Sequence, residues 1–259
     1  YFEIFKHLNS AAENNGMSVD YVNLQFPHTA GNFLKNMSLY KGIVTSGHIM
    51  KGKIPGDIFE ALGAADNVIS VDNTQSNPAR LITGADHHRG AFMAVEALAA
   101  AGRKKPVFLG ISEGFYRYQP FTDRLSGFKD AVAFLPLCND PGLIFISAEI
   151  NDSYDARPAL ERILKKHPDA DSFFAITDFM AVQTLYALKG LGINVPFDMS
   201  VIGFDGLAIG ESVSPRLTTI AQPVAEIAEK VVKHIAEESF PSEKTVTLIS
   251  PALISRESV

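Results

Sequence analysis

Three aspartates each close an apolar run: Asp72 after NVISV, Asp178 after FFAIT and Asp205 after SVIGF. Runs rich in Val, Ile and Phe read as buried strands. A carboxylate at the mouth of such a strand is costly unless something pairs with it. In open α/β sheets, ligands collect at the carboxyl ends of strands. Arg124, in TDRLSGF, stands at the start of a helix, where a cation gains nothing from the helix dipole. A fork-shaped donor there is explained by something it binds, or by a salt bridge to Asp123 or a neighbouring acid. Carboxylates accept hydroxyl hydrogen bonds and a guanidinium donates several in one plane. Aromatic faces from Tyr1, Phe2 and GFYRYQPF could cover a flat ligand, or could pack in the core. The set suits a sugar or another small polar ring. For Asp178, which precedes FMAVQTLYALKG, simple helix capping is the competing reading. Asp205 has no helix directly after it, so a ligand is the expected partner of its carboxylate.

Other groupings invite different chemistry. Gly110-Ile111-Ser112-Glu113-Gly114 follows a strand and matches the G-x-S-x-G elbow of serine hydrolases. An elbow needs a helix at once. Here FYRYQP intervenes, a helix is expected only near Thr122, and the partner histidine would have to be His167 or His234 on charged helix faces. A strand-to-loop turn fits better. Asp86-His87-His88 sits at an expected helix start, where the acid can cap and the histidines are expected to be solvated. Adjacent histidines face different directions on a helix, and no Cys cluster or His-x-x-x-His supports a metal. No Walker A loop or G-x-G-x-x-G is present, so no cofactor or nucleotide is expected.

Elements must alternate to place these residues. Ile4, Phe5, Leu8, Ala11 and Ala12 recur at helical spacing before Gly16. MSVDYVNLQF reads as a strand, NFLKNMSLY as a helix, GIVTS as a strand, PGDIFEALG as a helix and NVISVD as a strand. A helix stripe on Ala91, Ala94, Val95 and Leu98 follows, then the strand KPVFLGIS and a stripe on Leu125, Phe128, Val132 and Leu135. LIFISA, SFFAIT and SVIGFD are further strands, with helices near 155–166, 179–189 and 223–239, and the chain ends in TVTLIS and PALISRES. Strands without polar alternation, separated by helices, predict an α/β fold with parallel sheets covered on both faces. The 259 residues, 46% hydrophobic, can build a large core. Net charge is −6 without a basic block, which argues against nucleic-acid binding by this chain alone. Cys138 is the only cysteine, which excludes an internal disulfide and fits a reducing compartment. No long apolar segment predicts a membrane span, and the first residues do not read as a signal peptide.

The segments SVIGFDGLAIGESVSPRLTTIAQP, TDFMAVQTLYALKGLGINVPFDMSVIGFD, DRLSGFKDA and LISRES, in their order along the chain, resemble the effector-binding core of the lactose/galactose-repressor (LacI/GalR) family. The resemblance runs from Tyr1 to Ser258. It implies a two-lobed periplasmic-binding-protein-like fold, with residues 1–86 and 218–239 in the N-terminal lobe and 87–217 and 240–259 in the C-terminal lobe. It implies an effector held between the lobes, a sugar or sugar derivative, although purine effectors also occur in the family. Arg124, Asp205 and Asp178 fall on family effector-contacting positions, and Asp72, Tyr1 and Phe2 match less closely. Asn151 falls where many relatives carry an aromatic, and Asp178 where an asparagine is frequent. The resemblance further implies a cytoplasmic homodimer that meets operator DNA through a helix-turn-helix headpiece. That headpiece and the first strand of the core are missing here, so a fragment is expected. The expected function is the sensor part of a transcriptional regulator, with no bond made or broken. The competing reading is an exported sugar-binding protein of an ABC transporter.

Overall fold

Alternation of apolar side chains between two cores shows how the first sheet is covered. The computed structural model describes residues 2–24, 26–45, 54–72, 77–111, 118–140, 143–147 and 156–259. The chain divides into two compact units, Tyr1–Ala85 with Pro223–Ile249, and Asp86–Gln222 with Ser250–Val259. In the first unit, strands β1 (Ile43–Thr45), β2 (Val68–Val71), β3 (Leu81–Ala85) and β9 (Thr245–Ile249) form a parallel sheet in the order β1-β2-β3-β9. Ile69 and Val71 pack with helices α1 (Phe2–Asn14) and α8 (Val224–Ala236) through Ile4, Leu8, Ile227 and Val231. Val68, one residue out of phase, packs instead with α2 (Pro27–Asn36) and α3 (Gly56–Ala64) through Phe33, Ile58 and Leu62. Successive strand residues point to opposite faces, so a strand buried on both needs helices on both.

The second unit follows the same rule. Its strands are β4 (Pro106–Ile111), β5 (Ile144–Ser147), β6 (Ser172–Ala175), β7 (Ser200–Asp205), β8 (Thr218–Ala221) and β10 (Ala252–Ile254). They lie in the order β10-β8-β7-β6-β4-β5, parallel except for β10 against β8. Helices α4 (His87–Ala100), α5 (Gln119–Phe134), α6 (Arg157–Lys166) and α7 (Asp178–Gly190) complete it. Phe108, Phe174 and Phe204 are fully buried, with ring centroids 5.6 Å apart for Phe108–Phe174 and 6.5 Å for Phe174–Phe204. Each such ring contributes up to about 3 kcal/mol by burial. Phe204 therefore anchors the last turn of β7 in the core and fixes where Asp205 emerges.

Several details differ from the sequence reading. LITGA, not foreseen as a strand, is β3 at the centre of the first sheet. The described residues 17–24 and 26 of MSVDYVNLQF (residues 17–26), expected as a strand, form no regular element. A strand exists through its ladder, and no described segment pairs with this one. Helix α5 begins at Gln119 rather than near Thr122. The unit boundaries also differ from those expected at 217/218 and 239/240. Residues Thr218–Ala221 pair with β7 in the second sheet, and Thr245–Ile249 pair with β3 in the first.

Helices α4 and α5 approach closely at Gly127, where an added Cβ would lie 2.1 Å from the His88 carbonyl oxygen. A backbone atom cannot swing aside, so Gly127→Ala should destabilise the second unit by about 1–3 kcal/mol. Gly31, on the exposed side of α2, has nothing within 4 Å of that position. There, Gly31→Ala should be neutral or stabilising by up to about 1 kcal/mol. Urea unfolding of both variants checks this; equal effects would contradict the packing account.

Candidate functional site

Strand β7 delivers the central residue. Its final residue, Asp205, has φ 126°. Non-glycine residues avoid that region, so the surrounding structure must hold it there. Arg124, from the first half of α5, is 3% exposed, and its Nη2 lies 3.0 Å from Asp205 Oδ1. Gln222, just beyond β8, donates from Nε2 to the same oxygen at 2.8 Å. The other two guanidinium nitrogens also donate. Nη1 donates to the Ile176 carbonyl at 2.6 Å and Nε to His87 Nδ1 at 3.3 Å. The guanidinium carbon sits 3.7 Å from the centre of the Phe204 ring and 5.5 Å from that of Phe121. A buried cation is thus neutralised by one acid and covered by two aromatic faces.

The expectation that a ligand alone meets the Asp205 carboxylate needs correcting. Arg124 and Gln222 already pair with it, and it keeps 18% side-chain exposure. The partner of Arg124 is Asp205, eighty-one residues away along the chain, and not the neighbouring Asp123.

Asp178 sits deeper. It is fully buried at the first turn of α7, and the helix cap is Thr177, whose hydroxyl accepts from Met180 N–H at 3.3 Å. The Asp178 carboxylate accepts from Leu207 N–H at 2.6 Å and from the Thr219 hydroxyl at 2.5 Å. Burial, and next the charge of Asp205, push its carboxyl up from the ordinary 3.8 to about 6, against the pull of those hydrogen bonds. The glycine of GFD has its reason here. A Cβ on Gly203 would lie 2.3 Å from Asp178 Oδ1. At the rim, Tyr118 packs edge-on to Phe121 at 5.2 Å, and burial raises its phenol above the ordinary range.

Arg124, Asp178 and Asp205 therefore form one cluster at the carboxyl end of the second sheet. Asp72 belongs to the first unit. It has φ 62°, and its carboxylate accepts from Ala85 N–H at 3.0 Å, bracing the end of β2 against β3. Phe2 opens α1. Tyr1 and Asn151 lie outside the described residues, as do Ser112, Glu113 and Gly114 of the elbow-like motif. Asp86 caps α4 by accepting from Arg89 N–H at 2.8 Å. Only His88 of the adjacent histidines is exposed, 2.7 Å from Asp130. His87, expected in solvent, is 4% exposed and stands under Arg124. Its signal was hidden, because a polar residue at a helix start looks like a solvated one. Thr219 and Gln222 were equally hidden inside TTIAQ. Among the described residues, no group of three or more His, Cys, Asp or Glu could hold a metal.

One consequence is a pH dependence of stability. The native Asp178 carboxyl holds its proton up to about pH 6, whereas the unfolded chain releases it near the ordinary 3.8. Stability should fall as pH rises through that window, by on the order of 2–3 kcal/mol, and then level off. Asp178→Asn should stay folded, because the Thr219 hydroxyl can turn to accept from the amide. That variant should lose the Asp178 part of the fall in thermal unfolding between pH 4 and 7. An unchanged profile would contradict the assignment.

Comparison with known proteins bears on the fold and the family. Residues 95–259 match the family model described as a periplasmic binding protein-like domain. The chain is 27% identical over 175 residues to the ribose operon repressor of Haemophilus influenzae, covering 66% of this chain and 50% of that protein. It is 27% identical to the HTH-type transcriptional regulator MalR of Clostridium butyricum over 270 residues, covering 100% of this chain and 77% of MalR. The solved complex of the transcriptional regulator CelR with cellobiose superposes with a TM-score of 0.81 at 19% identity, covering 100% of this chain and 79% of that one, and shares the fold. The chain spans about half the length of the ribose operon repressors it matches. Both the Haemophilus influenzae repressor and MalR are named as regulators of transcription. The chain therefore belongs to the periplasmic binding protein-like domain family.

Proposed function

We propose that this chain senses a small polyhydroxylated effector, a sugar or sugar derivative, for a transcriptional regulator. The observation that carries the reading is the buried Arg124–Asp205 pair at the carboxyl end of β7, held at a strained backbone angle and faced by Phe204. Strain of this kind persists where a site must be preorganised. Asp205 retains exposure and free lone pairs, so it can accept from ligand hydroxyls while Arg124 fixes its orientation. Asp178 acts as a positioning residue, holding Leu207 and Thr219 beside the site. Tyr118 and Phe121 offer apolar cover for a ring.

Names of the relatives support the class of ligand. One represses a ribose operon and a structural neighbour is a cellobiose complex. A whole protein of this type would bind operator DNA through a headpiece outside this chain, as a cytoplasmic homodimer. Effector binding would shift the population between two arrangements of the core, by an amount set by its differential affinity for them. The exported transporter protein is the less favoured alternative, because the matched relatives are repressors.

A thermal-shift panel of monosaccharides, disaccharides, sugar phosphates, polyols and nucleobases tests the proposal. One sugar class should raise the melting temperature in proportion to concentration. Asp205→Ala should weaken that ligand at least tenfold. The same variant should cost the apo protein on the order of 3 kcal/mol, because it leaves the Arg124 cation buried and unpaired. Full-strength binding by Asp205→Ala would remove Asp205 from the site and overturn the reading.

A further inference from the structure

A second polar site lies in the first unit, between helix α8 and strands β3 and β9. Its groove has a volume of about 280 Å³. That is close to the lower end of small-ligand pockets, roughly 300 Å³. The floor carries two threonines that face each other across the ladder, Thr83 of β3 and Thr247 of β9. Thr83 is 2% exposed, and its hydroxyl oxygen has no hydrogen-bond partner. A buried hydroxyl left unpaired is unfavourable, and such groups call for a missing partner.

The wall is supplied by Lys230, Lys233, His234 and Glu237 of α8. These positions are i, i+3, i+4 and i+7, which share one helix face. Two ammonium groups, an imidazole and one carboxylate thus line the groove, and a second carboxylate, Glu226, stands beside Lys230 outside the lining. Neither lysine is tightly engaged by its own helix. Lys230 lies 3.9 Å from Glu226 and Lys233 lies 3.9 Å from Glu237, beyond hydrogen-bond range and exposed to solvent. Pairs of that kind are weak and readily exchanged. His234 Nδ1 is 3.0 Å from the Ser239 carbonyl, which fixes the ring.

We infer that this groove binds a small phosphate, either free or as the phosphoryl group of a small metabolite. A tetrahedral oxyanion accepts from hydroxyls and ammonium groups together, which a neutral sugar does not match as well. Thr83 would donate to it, Lys230 and Lys233 would neutralise it, and Thr247 and His234 would flank it. The site lies in the first unit, whereas Arg124 and Asp205 lie in the second. It does not depend on the identity of the effector.

Calorimetric titration of the chain with inorganic phosphate, at ionic strength held constant with chloride, tests the inference. Saturable binding is expected, weakened at least tenfold in Lys233→Gln and in Thr83→Val. Thr83→Val should fold at least as stably as the parent, since it removes only an unpaired hydroxyl. Arg124→Gln should leave phosphate binding intact, which separates this groove from the buried cation of the second unit. Glycerol phosphate distinguishes the sources: tighter binding than inorganic phosphate assigns the groove to a phosphorylated metabolite, and equal or weaker binding assigns it to the free ion. Absence of saturable binding, binding that survives both Lys233→Gln and Thr83→Val, or binding lost in Arg124→Gln alone would overturn the inference.

Discussion

A guanidinium removed from water must be neutralised and must have its donors used, and the second unit is arranged around meeting that demand for Arg124. Asp205 supplies the charge, the Ile176 carbonyl and His87 accept further hydrogen bonds, and Phe204 covers the cation. Each contribution comes from a different element. Helix α5 brings the cation, β7 brings the acid and the ring, the turn after β6 brings the carbonyl, and the start of α4 brings the imidazole. The pair can form only if all four are in register. It is in this sense a check on the fold as well as a site.

The same demand explains the glycines around it. Gly203 leaves room for the Asp178 carboxylate beneath the end of β7, and Gly127 lets α5 lie against α4 so that Arg124 reaches inward. Asp178 then occupies the Leu207 amide and the Thr219 hydroxyl, which holds the segment after β7 in place. Asp205, paired with the buried Arg124 cation, is also close enough to Asp178 to raise the proton affinity of that carboxylate. A ligand rich in hydroxyls can relieve that imbalance by donating to Asp205, which is the group still exposed.

Much of this was legible in the sequence. Apolar runs ending in Asp178 and Asp205 marked the carboxyl ends of adjacent strands, and a helix-start arginine marked a cation in need of a partner. The order of strands and helices gave the α/β class directly. The identity of that partner was not legible, because Asp205 meets Arg124 only after several crossovers bring α5 over the sheet. His87, Thr219 and Gln222 carry no local signature, since each joins the cluster only through the tertiary fold. Strand β3 was missed because it is short and Gly84 and Ala85 weaken its propensity. Its glycine is required by the Asp72 side chain, whose Oδ1 would lie 2.4 Å from a Cβ there. The boundaries near 218 and 245 depend on which sheet each short strand joins, and nothing in a four- or five-residue apolar run states that.

The most direct test of the account is the coupling between Arg124 and Asp205 in effector affinity. A double-mutant cycle with Arg124→Gln, Asp205→Asn and the combined variant, read by calorimetry with the stabilising sugar, isolates it. The account predicts a coupling of at least about 1.5 kcal/mol, as for close charge pairs that act as a unit, so that the second substitution adds little once the first is made. Strictly additive losses, or no loss in any of the three, would contradict the claim that this buried pair is the anchor on which the site is built.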